Sequence, residues 1–160
     1  MNPLLQSVQL ALQNATQKES LSYIDKVVEF CIEQENGKVL EDAPKEYIRL
    51  LVAYNMAKDT IVVEHDENEN VTGLMVWYKC NEDDGDSFFL NWEADKEDGN
   101  AIFGALLFAK DTKTFQSIFK NFISKCPEVK QKQFMGLRYR SGVKTLVKYT
   151  NKFFDKILNK

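Results

Sequence analysis

The apolar pattern of this chain changes period at Asp59, and that change limits what it can fold into. Before it, apolar residues recur every three or four positions: Leu4, Val8, Ala11, Leu12 and Ala15, then Ile24, Val27, Val28, Cys31 and Ile32, then Tyr47, Leu50, Leu51 and Tyr54. Such spacing makes one face of a helix apolar. Ser20 and Ser22 are capping residues for the second stripe, Gly37 follows it as a stop, and Asp42 with Pro44 opens the third. After Asp59 the segments are short and alternate: TIVVEH, VTGLMVWYKC and SFFLNWEA, separated by the polar turns DENEN and NEDDGD.

Further along, Phe115, Ile118, Phe119, Phe122 and Ile123 return to helical spacing up to Pro127. KQFMGLRYR alternates as a strand, and Val143, Leu146, Val147, Tyr149, Phe153, Phe154, Ile157 and Leu158 read as an amphipathic closing helix. The sequence therefore predicts an α/β (α+β) domain over 1–160. Its parts are helices over 1–58, an antiparallel meander over 59–109, and a basic helix-strand-helix over 110–160.

The stretch EADKEDGNAIFG, residues 93–104, has two readings. Asp98-Gly99 between alternating apolar runs is a hairpin signal, which makes AIFGALLFA a strand. AIFGALLFA also reads as the start of a helix. The hairpin requires fewer assumptions, and it moves the strand-to-helix turn to KDTKT, residues 110–114.

Composition excludes several classes. No apolar run approaches membrane-spanning length, and no basic-then-apolar leader opens the sequence, so an anchor or signal peptide is not expected. Cys31, Cys80 and Cys126 have neither CxxC spacing nor histidine neighbours. They read as small core hydrophobes in a reducing compartment, with no disulfide and no metal site. The acidic runs at 66–69 and 82–86 lack the ligand spacing of a calcium loop and read as solvated turns.

Charge is divided sharply along the chain. Residues 1–109 carry 8 Lys/Arg and 21 Asp/Glu, whereas residues 110–160 carry 13 and 3. The two halves either neutralise one another within the fold or present a basic face to an anionic partner. Lys144, Lys148, Lys152 and Lys156 recur every four residues. With Lys130, Lys132, Arg138 and Arg140 they form a candidate patch for an acidic protein, a second copy of the chain, or nucleic acid.

The element order and the run FGALLFAKDTKTFQSIFKNFISKCPEVKQKQFMGLRYRSGVKTLVKY resemble the GNAT superfamily of N-acyltransferases. The likeness extends to the degenerate GNAT-like proteins of tailed bacteriophages, some of them small internal virion proteins. The resemblance implies a loop and helix N-terminus that hold the pyrophosphate of acetyl-CoA or another acyl-CoA, with residues such as Glu93 and Tyr139 near the amine and the leaving thiolate. On one register the loop is Asp98-Gly99-Asn100, where Asp98 repels phosphate and Phe103 fills the space a glycine leaves. On the other, Thr112, Lys113 and Thr114 lie near the phosphates, but KDTKT has no glycine to form a cradle. The expectation is a GNAT-like domain that has lost acyl-CoA binding and serves as a binding or assembly component, in the cytoplasm or a virion. The alternatives are an active N-acyltransferase and a nucleic-acid-binding protein. His65, the single histidine, is a candidate general base at the end of the first strand.

Overall fold

The computed structural model describes residues 18–34, 44–82, 97–140 and 143–158. The chain divides into two compact units, Met1–Ile61 and Val62–Lys160. The helix expected over residues 4–16 and the strand expected over SFFLNWEA lie outside the described residues.

In the first unit, α1 (Lys18–Glu33) and α2 (Lys45–Lys58) pack together. Helix α1 buries Ile24, Val27, Val28 and Cys31, the stripe expected, while Ile32 at its margin is 44% exposed. Helix α2 buries Ile48, Leu51, Val52, Tyr54 and Asn55, a face turned slightly from the Tyr47–Leu50 line. The reason is polar. Asn55 donates Nδ2 to the Leu51 carbonyl and accepts the Thr60 hydroxyl at 2.6 Å, so its buried amide is satisfied where the helix ends. Asp59 closes the helix in the left-handed region (φ 59°). Arg49 bridges to Asp25 across the helix pair.

Among the described residues of the second unit, with Ile61 at its edge, a five-stranded sheet has the order β1-β2-β3-β4-β5. Its strands are β1 (Ile61–His65), β2 (Val71–Cys80), β3 (Ala101–Ala109), β4 (Gln133–Arg140) and β5 (Val143–Tyr149). Helix α3 (Thr112–Lys125) and a 3-10 turn (Pro127–Lys130) link β3 to β4, and α4 (Asn151–Leu158) follows β5. AIFGALLFA is thus a strand. It runs antiparallel to β2, with an irregularity where Trp77 faces Gly104 and Val76 faces Leu106. With β4 it runs parallel, over Ala101–Gly104 opposite Gln133–Gly136. A parallel pair needs a crossover, and α3 supplies it.

The closing helix begins at Asn151, not Val143, which corrects the sequence reading. Val143–Tyr149 is a strand hairpinned onto β4, with Tyr149 opposite Phe134 and Thr145 opposite Arg138. VKTLVKY alternates Val143, Thr145 and Val147 with Lys144, Leu146 and Lys148, and its β-branched residues favour a pleated strand over a helix. The lysine row is therefore split: Lys144 and Lys148 belong to β5, Lys152 and Lys156 to α4.

Helices α3 and α4 cover one face of the sheet. Trp77, Met75, Ile102 and Phe134 from the strands meet Ile118, Phe119, Phe122, Phe154 and Ile157. No helix among the described residues is long and apolar enough to cross a membrane. All three cysteines are free and buried. Burial pushes the Cys31 thiol up to about 12, and burial with the nearby Glu128 carboxylate pushes Cys126 up to about 12. A thiol reagent at near-neutral pH is expected to leave all three unlabelled in the native protein and to label them after denaturation. Prompt labelling of Cys126 without denaturant would contradict this packing.

Candidate functional site

A cluster of polar side chains in the second unit lies where β1, the β1–β2 turn and the start of α3 meet. Asp111, extended at φ −156° and ψ 174°, precedes the helix as its N-cap, and its Oδ1 accepts the Thr114 backbone N–H at 2.7 Å. The Phe115 N–H closes the first turn on the Asp111 carbonyl, and the Lys110 N–H is held by the Thr72 carbonyl. Gly73 lets the helix settle on the sheet. A Cβ there would stand 2.7 Å from Ile118 Cδ1 and 2.9 Å from Thr114 Cγ2.

One turn further, Glu64 Oε1 of β1 accepts both Ser117 Oγ at 2.8 Å and Asn121 Nδ2 at 2.7 Å. Ser117 and Asn121 are four apart on α3, so one carboxylate ties a helical stripe to the edge of the sheet. The β1–β2 turn is built on Asp66, whose Oδ1 accepts the N–H groups of Asn68 and Asn70. Between these elements lies an open cleft of about 540 Å³, lined among others by Glu64, His65, Lys110, Lys113, Thr114 and Ser117.

The structure thus brings together two candidates that sequence separates by nearly fifty residues, His65 and the pair Lys113–Thr114. Thr112 is the exposed first residue of α3. Glu93 lies outside the described residues. So does the side chain of Tyr139, whose backbone pairs with Lys144 on β5. The Glu64–Ser117–Asn121 link was missed by sequence reasoning. Its only sequence signal was two polar residues at helical spacing within an aromatic-rich helix.

Part of the candidate basic patch is engaged elsewhere. Lys132 donates Nζ to the Gly99 carbonyl at 2.8 Å, and Lys148 is paired with Glu82 at 2.9 Å. Both fasten the ends of the β2–β3 connection. Lys130, Lys152 and Lys156 are exposed. The side chains of Arg138, Arg140 and Lys144 lie outside the described residues.

Electrostatics decide what the α3 N-terminus can hold. The Thr114 backbone N–H, then its hydroxyl and the lysines on either side, hold the Asp111 carboxyl below its usual range. Asp66 is lowered in the same way by the Asn70 and Asn68 backbone and by Lys110. A helix N-terminus favours an anion, and here the chain provides its own. Because these folded-state pKa values are depressed, their stabilisation is complete above the unfolded value and is lost as pH falls through the folded one. Asp111→Ala is expected to melt a few degrees below the wild type at neutral pH. The gap should close as pH drops below about 4, the ordinary aspartate range. A gap independent of pH would contradict a charged cap.

A comparison with known protein families and a comparison with curated proteins each find no match.

Proposed function

We propose that this chain carries a GNAT-like domain that has lost acyl-CoA binding and works as a binding or assembly component. The observation that carries the reading is the 2.7 Å contact between Asp111 Oδ1 and the Thr114 N–H. In the family that the sequence resembles, the pyrophosphate is held by a loop and the helix N-terminus after a central strand. The reading takes β3, α3 and the parallel strand β4 as the matching strand, helix and strand, an order it is compatible with. On this reading the phosphates would approach the start of α3, where the Asp111 carboxylate already takes the Thr114 amide. A pyrophosphate would have to displace it and then face the remaining charge at close range. Sequence supports the same conclusion, because KDTKT has no glycine to bring backbone amides around a phosphate.

A domain without its cofactor retains a surface to offer, and residues 110–160 carry 13 Lys/Arg against 3 acids, with Lys130, Lys152 and Lys156 exposed. The resemblance to small GNAT-like proteins of tailed bacteriophages supports a role in binding or assembly over catalysis. Thermal unfolding in millimolar acetyl-CoA or coenzyme A tests the reading. The midpoint should stay where it is without ligand, because a ligand that does not bind the native state cannot stabilise it. A rise of several degrees that saturates with concentration would overturn the proposal and restore the acyltransferase alternative, with His65 beside the cleft as its first candidate base.

A further inference from the structure

The helical layer of the second unit has an outer surface that the core does not use. Along α3, Lys113 and Lys120 are seven residues apart and so share one exposed stripe, about 10 Å from end to end. The segment TKTFQSIFKNFISK contains no acidic residue. Lys152 and Lys156 are four apart on the exposed side of α4, and Lys130 is exposed on the 3-10 turn between α3 and β4. The two helices pack against each other through Phe119, which lies 5.5 Å from Phe153 and 6.2 Å from Phe154 between ring centroids. Their lysines therefore belong to one side of one layer. None of these five lysines is in an ion pair among the described residues, although Lys113 also lines the cleft with Glu64, Asp66 and Asp111 and acts on the Asp111 carboxylate. Asp155 is the single acid on the outer side of α4, and Glu128 on the 3-10 turn is taken by Lys79 at 3.1 Å.

We infer that this α3–α4 surface binds the phosphate backbone of double-stranded nucleic acid without reading its sequence. The inference rests on the domain being a binding component, and it names the partner. Three observations favour a duplex backbone over an acidic protein or a single strand. The surface presents ammonium groups with the uncharged hydrogen-bonding side chains Ser124, Gln131 and Asn151, all exposed, which is the chemistry of phosphate contacts. It has no apolar anchor of the kind that carries protein interfaces: the exposed large apolar side chains among the described residues, Ile32 and Leu107, stand on α1 and β3. The aromatic rings of α3 and α4 pack among themselves and are not displayed as stacking platforms for unpaired bases.

The test is fluorescence anisotropy of a labelled random-sequence DNA duplex titrated with the full chain. Saturable binding at low salt is expected to weaken roughly 100-fold when salt is raised about fourfold, as for some four phosphates neutralised. The triple variant K120E/K152E/K156E should lose about tenfold or more in affinity, and Lys26→Glu, a charge reversal on the exposed side of α1, should stay within about twofold of the wild type. Circular-dichroism melting of each variant separates lost binding from lost folding. Absence of saturable binding by the wild type, or equal losses in the triple variant and Lys26→Glu, would overturn the inference. Salt-sensitive self-association without duplex affinity would overturn it in favour of a protein partner. A ligand-dependent rise in melting temperature with acetyl-CoA would count against the lost cofactor alone, so the two failures are distinguishable.

Discussion

Phe119→Ala is expected to destabilise the second unit by about 3–5 kcal/mol. Phe119 is 1% exposed and its ring meets five others: Phe115 at 4.9 Å, Phe153 at 5.5 Å, Phe122 at 6.0 Å, Phe134 at 6.1 Å and Phe154 at 6.2 Å. Those rings come from α3, β4 and α4, so the cavity left by alanine would open where three elements meet, and none can close it alone. Edge-to-face geometry with Phe122, Phe134 and Phe153 adds a directional part that a leucine would not restore. Phe119→Leu should therefore recover most of the loss through volume but not all of it. Urea unfolding followed by tryptophan fluorescence measures this directly, because Trp77 packs edge-on against Phe122 at 4.8 Å. A loss under about 1 kcal/mol for Phe119→Ala would mean that α4 does not seal this cluster.

Gly99→Ala is the second large effect, and its cause is backbone contact. Gly99 is buried, and a Cβ at this position would collide with the O, C and N atoms of Cys80. Nothing there is a flexible side-chain end that can swing away, so β2 and the entry to β3 would have to separate. The adjacent bonds would be disturbed as well: Lys132 Nζ on the Gly99 carbonyl, and the Asn100 side-chain oxygen accepting the Glu82 N–H at 2.8 Å. The expected cost is about 2–3 kcal/mol, at the upper end of overpacking changes, with a lowered melting temperature as the readout. Unchanged stability would show that the Cys80–Gly99 contact gives way freely.

Gly99 also shows how far the sequence could be read. Asp98-Gly99 was identified correctly as a turn ahead of a strand, but the glycine is there for a different reason. Its φ is not in the left-handed region, and the demand on it is close approach to Cys80. Strand β3 was legible from the Asp98-Gly99 turn signal and the short apolar run after it, although its antiparallel neighbour in the structure is β2, and the hairpin partner SFFLNWEA lies outside the described residues. Helix α3 was legible from Phe115, Ile118, Phe119 and Phe122, all on its inner side. Its start was placed a few residues late, because Asp111 in KDTKT read as part of a loop when it is a cap.

The closing helix was misread over Val143–Tyr149 because lysines at 144, 148, 152 and 156 imitate a helical row while the same seven residues also alternate. Pairing with β4 decided between the two patterns, and that information is not local. The cleft shows the same limit. His65 and Lys113 come together only because β1 lies at one edge of the sheet and α3 crosses back over it, and no pattern near either residue announces the other. Glu64, between Val63 and His65, was equally silent until Ser117 and Asn121 were placed against it.

The Asp111 carboxylate caps the start of α3 on the Thr114 amide, and on the proposed reading this excludes a pyrophosphate there. Amide NMR of isotope-labelled protein, titrated first with acid and then at neutral pH with acetyl-CoA, tests it most directly. The account predicts that the Thr114 N–H resonance moves as the Asp111 carboxyl protonates below the usual aspartate range, and that millimolar acetyl-CoA leaves Lys113, Thr114 and Phe115 unmoved. Saturable acetyl-CoA shifts at those three amides, with Thr114 indifferent to the carboxyl, would contradict it.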